Sequence, residues 1–149
     1  MKVTGLDRIV IMVRDIDKAM ELFSRKFGMR FMELDENIQK RDGNRGFVCH
    51  ETHLHIVSPI LPLPPTAPPP LRKGAEMIRD KDAMVLVLIF KVEDAGKAMG
   101  EMEEQGFAIV RTWPENEDYA SVGMNHLVEF LMDPKDTLGL PICFSTWSR

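Results

Sequence analysis

Sliding the chain along itself by 79 positions lays Val13 on Val92, Asp15 on Asp94, and Lys18-Ala19-Met20 on Lys97-Ala98-Met99. A repeat of this kind means that one supersecondary unit is used twice. In the first copy, Ile9-Val10-Ile11-Met12-Val13 reads as a buried strand. Asp15 then offers a carboxylate to the free N–H groups of a helix start. Ala19, Met20, Phe23 and Phe27 follow at helical spacing, and Gly28 ends the helix. Phe31 to Leu34, Arg45 to Cys49 and Thr52 to Val57 read as three further strands, which completes β-α-β-β-β. In the second copy, Val85 to Val92 is the strand and Asp94 the cap. Ala95, Ala98, Met99 and Met102 line the helix, and Gly106 ends it. Phe107 to Val110, a stretch around Ala120, Leu127 to Met132 and Leu140 to Phe144 supply the later strands. The fold class is therefore α+β, built from two βαβββ modules.

Between the copies runs Ser58-Pro59-Ile60-Leu61-Pro62-Leu63-Pro64-Pro65-Thr66-Ala67-Pro68-Pro69-Pro70, in which seven of thirteen residues are proline. Proline lacks the amide N–H that helix interiors and central strands need, so this stretch reads as an extended, polyproline-like connector. It divides the chain into a first module at 1–59, a connector at 60–82 and a second module at 83–149. A stiff spacer is the plain reading. A pocket rim, or a docking site for a proline-binding partner, would use the same residues differently.

The hydrophobic fraction of 44% and charged fraction of 28% describe a chain that can bury a core. The net charge of −4 comes with no basic run, which leaves no footprint for nucleic acid. Cys49 and Cys143 are far apart in sequence, which excludes a dense disulfide framework and a CxxC knuckle and suits a reducing cytoplasm. Ala83 to Phe90, the longest apolar run, is far shorter than the roughly 20 residues a bilayer requires. The expectation is a soluble cytoplasmic protein with neither a nucleic-acid nor a membrane partner.

The opening from Gly5 to Phe23 with Phe27-Gly28-Met29, the stretch Thr52-His53-Leu54-His55-Ile56-Val57-Ser58-Pro59, Phe90-Lys91-Val92-Glu93-Asp94, and the close from Phe130 to Phe144 together resemble the vicinal oxygen chelate superfamily. That superfamily includes glyoxalase I, methylmalonyl-CoA epimerase, extradiol dioxygenases and bleomycin-resistance proteins. Pro134-Lys135-Asp136-Thr137 with Gly139 looks most like the epimerase branch, close to glyoxalase I. The resemblance implies that the two modules curl into an incomplete barrel around a cup. Active relatives hold one divalent metal in the cup, and the metal stabilises an enolate or enediolate as a Lewis acid. Carried over by position, the four metal ligands fall on Arg8, His55, Val87 and Cys143. Arg8 has no lone pair to give and Val87 no donor at all. Cys143 is too soft for a hard-oxygen site, so His55 alone is a competent inherited ligand. Arg8 and Val87 are also repeat partners at the 79-residue offset. The epimerase base, an acidic residue on the third strand, finds only Cys49 or His50.

His53 and His55 are two apart on one strand and so share a face, which the resemblance turns toward the cup. There they would contact a ligand; otherwise they are ordinary solvated or hydrogen-bonded histidines. Arg8 either holds a substrate oxygen with its fixed charge or forms a salt bridge to Asp7 or Glu129. His126 and Glu129, three apart on one strand, face opposite sides and make a poor acid–base pair. The loop from Trp113 to Tyr119 reads as a solvated acidic turn or a pocket rim, and the eleven methionines as adaptable core.

Two functions follow. In the first, the protein binds a small organic molecule without a metal, with Arg8, His55 and His53 as working residues and Cys49, Val87, His126, Glu129 and Cys143 as pocket wall. It then either acts as an isomerase, lyase or cyclase of glyoxalase or epimerase type, or sequesters its ligand as resistance proteins do. In the second, one divalent metal sits on a rearranged set of His53, His55, His126 and Glu129. No cofactor is expected under the first reading, and the family implies a homodimer.

Overall fold

The structure is a computed structural model that describes residues 1–114 and 117–149. Two compact units emerge, one of Ile9–Leu86 and one of Met1–Arg8 with Val87–Arg149. Each carries the expected strand–helix–strands order, so the α+β class with two βαβββ modules is the fold observed.

The 9–86 unit runs from β1 (Val3–Val13, from Ile9 on) through α1 (Ile16–Met20), β2 (Met32–Glu33), α2 (Glu36–Asp42), β3 (Asn44–Cys49) and β4 (Leu54–Pro59) to α3 (Pro69–Met77). Its strand order is β2-β3-β4-β1, with β1 and β4 parallel and the other pairs antiparallel. Asp15 caps α1 as expected, one carboxylate oxygen accepting from the amides of Asp17 and Lys18 at 3.1 Å each. Beyond Met20 the helix widens into a π turn over Glu21–Lys26, in which the Phe27 amide reaches back to the Leu22 carbonyl. Ala19, Met20 and Phe23 pack on Ile11, Val13, Leu54 and Ile56. Alternation along the strands then turns Val10, Met12, His55 and Val57 to the opposite face.

Two features of this unit depart from the sequence reading. A helix, α2, stands between β2 and β3, capped by Asp35 and closed by Gly43 in the left-handed region at φ 75°. The proline segment is not extended throughout: Ser58 and Pro59 finish β4, while Pro69 and Pro70 open α3. Proline is tolerated in a first helical turn because the amides there have no intrahelical acceptor. Leu71, Gly74 and Ala75 are buried, and a Cβ built on Gly74 would stand 2.7 Å from Leu86 Cδ1 and 3.0 Å from Met12 Cε. The connector thus lays a helix on the Met12 face of the sheet.

In the other unit, β5 (Ala83–Val92, from Val87 on) leads to α4 (Ala95–Glu104), β6 (Ile109–Trp113), β7 (Asn125–Met132) and β8 (Ile142–Ser148) in the order β5-β8-β7-β6. Asp94 caps α4 through the Lys97 amide at 2.9 Å. Ala95, Ala98 and Met102 bury against Val92, Phe130 and Met132. The strand expected around Ala120 is instead a 3-10 turn over Glu117–Val122. Among the described residues no helix is long and apolar enough to cross a membrane.

Candidate functional site

Strand register in the 1–8 with 87–149 unit defines two sheet faces. Phe90, Phe144, Val128, Phe130 and Met132 lie on the α4 face. On the other face Lys91 stands opposite Ser145, Ser145 opposite Glu129, and Glu129 opposite Trp113. The adjoining row runs Ile89, Cys143, Leu131, Arg111. A polar row on the face away from α4 is where a ligand or a buried charge network belongs.

Arg8 closes this face. Its side chain is 2% exposed, and one guanidinium nitrogen, NH2, lies against the Glu129 carboxylate and 3.2 Å from Asp7 Oδ2. The NH1 nitrogen donates to Met124 Sδ at 3.1 Å. Nε–H is buried and has no hydrogen-bond partner among the described residues. Burial by itself would lower the guanidinium pKa, but Glu129 and Asp7 outweigh it and the net direction is upward, so Arg8 stays charged. Asp7 is fixed independently of Arg8: its carboxylate accepts from the Ser145 hydroxyl and from Trp147 Nε1 at 2.9 Å. Tyr119, 7% exposed, contributes to the field at Arg8.

Cys143 lies on this face, 2% exposed. Burial pushes its thiol well up, and the charge and hydrogen bonding of Glu129 push it further against the opposing effect of Arg8. In that setting it is a neutral thiol. Val87 is buried at 9% exposure and offers only methyl groups. Lys91 Nζ sits 4.6 Å above the Trp147 ring, and the Arg111 guanidinium carbon 5.3 Å above that of Trp113.

In the 9–86 unit, His55 occupies the sheet face away from α1 with both ring nitrogens shielded from solvent. A Cβ on Gly46 would stand 3.2 Å from His55 Nε2, so the missing side chain makes room for the imidazole. His53 does not join it on the strand. It precedes β4, is exposed, and adopts φ 55°, so the period-2 argument does not reach it. Cys49 is buried at 1% exposure and His50 partly so. A recess of about 790 Å³ near the end of β1 is lined by none of the sequence-derived candidates.

His126, exposed at φ 53°, stands at a β-bulge, whereas Glu129 is buried with Arg8. The loop after Trp113 includes residues 115 and 116, which lie outside the described residues. Its far end buries Tyr119 near Arg8. Sequence reasoning missed Ser145, Trp147 and Met124, whose alternation in β8 and position before β7 gave no sign of Arg8.

The inherited metal positions do not suit a metal. Arginine and valine stand at two of them, and a soft cysteine at a third. Among the described residues no group of three or more His, Cys, Asp or Glu is placed to hold an ion. What the charged face can do is present a fixed, buried positive charge already paired with two carboxylates.

The family model for the Glyoxalase/Bleomycin resistance protein/Dioxygenase superfamily matches residues 5–144. Among solved structures, methylmalonyl-CoA epimerase from Mycobacterium tuberculosis is 20% identical with TM-score 0.68, covering 96% of this chain and 87% of the other. Streptomyces coelicolor methylmalonyl-CoA epimerase in complex with 2-nitronate-propionyl-CoA is 16% identical with TM-score 0.69, covering 97% and 98%. A hypothetical protein from Bacillus halodurans is 16% identical with TM-score 0.65, covering 95% and 94%. No curated protein sequence matches.

Proposed function

The chain belongs to the Glyoxalase/Bleomycin resistance protein/Dioxygenase superfamily, and from that premise we propose that it binds a small organic molecule at a centre needing no divalent metal. The observation that carries this is Arg8. At the first-strand position where relatives place a ligand, this chain buries a guanidinium and pairs it with Glu129 and Asp7. The two carboxylates already neutralise the cation. The part of the ligand that reaches Arg8 is therefore a neutral oxygen, such as a carbonyl, and not a carboxylate or phosphate. This narrows the expectation that Arg8 would hold an anionic oxygen.

Acyl-CoA thioesters are the first class to screen, because the Streptomyces epimerase carries such a ligand. Where the protein turns its ligand over, the reaction is an isomerase- or lyase-type proton transfer, and His55 is the residue we assign to polar contact in the 9–86 unit. A cytoplasmic setting fits two buried, unbridged cysteines, and a homodimer fits the family.

The test is metal analysis of purified protein, with melting temperature measured before and after a chelator. We expect less than stoichiometric metal, an unchanged melting temperature, and an upward shift with propionyl-CoA. Stoichiometric Zn, Ni, Mn or Co with a lower melting temperature after chelation would overturn the reading.

A further inference from the structure

Resting on that metal-free reading, we propose that Asp7 and Glu129 form a cation cradle whose tethered occupant is Arg8, so that the chain without this guanidinium takes up a free one in its place. A structural arginine usually meets a carboxylate side-on, with two parallel N–H donors engaging two oxygens. Arg8 does otherwise. A single nitrogen, NH2, serves both carboxylates, while NH1 is left to a thioether, a weak acceptor, and Nε–H to none among the described residues. This is how a point charge is held, as an ammonium or a metal ion would be, with the guanidinium fork largely unused.

The Asp7 half of the cradle has supports besides Arg8. Ser145 and Trp147 hold the Asp7 carboxylate, and the ladder sets the Glu129 backbone opposite Ser145. All the participants are buried: Arg8 at 2%, Asp7 at 4%, Glu129 at 8% and Ser145 at 0% exposure. Two buried carboxylates thus meet one guanidinium. Removing Arg8 takes away the cation that both of them meet, and that loss is costly enough in a buried setting that an available cation should enter.

The test uses Arg8→Ala in the full chain, with guanidinium chloride as probe at about 10 mM, far below denaturing levels (denaturation takes molar concentrations). The variant should melt roughly 10 °C below the parent and recover several degrees with guanidinium, but not with the same concentration of tetramethylammonium chloride, whose cation has no N–H to donate. The parent should recover nothing. Equal responses of the variant to the two salts would overturn the cradle. If Arg8→Ala does not fold, Arg8→Lys and Arg8→Met decide the matter. A point-charge cradle keeps the lysine variant well above the methionine variant in melting temperature, and equal losses would sink it. Stoichiometric metal in the parent would defeat the proposed function while leaving this rescue as measured; failed rescue would leave the metal analysis untouched.

Discussion

The two units fill the sheet face away from their first helix, α1 or α4, in opposite ways. In the 9–86 unit the buried side of a helix from the connector, α3, covers Met12 and Leu86, and the polar groups nearby are His55 beside Gly46, and Gln39 donating to the Leu34 carbonyl at 2.8 Å. In the other unit the face holds Arg8, Asp7 and Glu129, three charges in a space of similar burial. Both begin from the same repeated strand and capped helix. The face away from the helix is thus the part of this module left free to diverge, and the two fillings fail differently. An apolar filling loses stability in proportion to volume lost or forced in. A charged filling loses it when one partner goes and the other stays buried.

The largest effect should follow from Glu129→Ala. It leaves the guanidinium with Asp7 alone and removes the acceptor from the Cys143 thiol. The cost should be roughly 3–5 kcal/mol in urea unfolding. A loss under about 1 kcal/mol would place this face in the same class as the apolar one and break the comparison.

The matching perturbation in the 9–86 unit is Gly46→Ala. Its Cβ would stand 2.5 Å from Leu34 Cδ1 and 3.2 Å from both Asn44 Oδ1 and His55 Nε2. Leu34 can give way, because the contact is the end of a flexible side chain, whereas the imidazole is hemmed in. About 1–3 kcal/mol is expected from overpacking, with a displaced His55 resonance in NMR. If stability falls but the resonance does not move, Gly46 serves strand packing and not the histidine.

How far these faces were legible in the sequence follows from the range of the interactions. Asp15 and Asp94 act on amides two or three residues away, so the capped helices could be read from the chain. Arg8 meets Glu129 across 121 positions, and sequence could offer that pairing only as one alternative to holding a ligand. The α3 helix was hidden because proline was read for what it forbids. Leu71, Ala75 and Ile78 nonetheless recur at i, i+4 and i+7, and Pro68 to Pro70 suit a helix start. The α2 helix was hidden because Ile38 is its only large apolar residue, although Asp35 and Gly43 mark its two ends. His53 was misplaced by one turn residue, since period-2 reasoning holds only inside the strand.

The smallest effect belongs to Cys143 and measures the charged face through a proton. Burial, then the charge and hydrogen bond of Glu129, hold the folded thiol well above its ordinary range. An unfolded thiol ionises from about pH 8.5. Below that pH both states keep the proton and the thiol adds no slope. Above it the unfolded chain loses a proton that the folded chain retains, so stability falls as pH rises, by at most ~1.4 kcal/mol per pH unit. Unfolding free energies of the parent and of Cys143→Ala, measured from pH 7.5 to 10, should therefore converge toward the alkaline end as the parent loses this extra stability. Curves that stay parallel would mean the thiol feels no such environment. Repeating the pair in a Glu129→Gln background should shrink the convergence, because the neighbouring charge that helps to hold the proton would be gone.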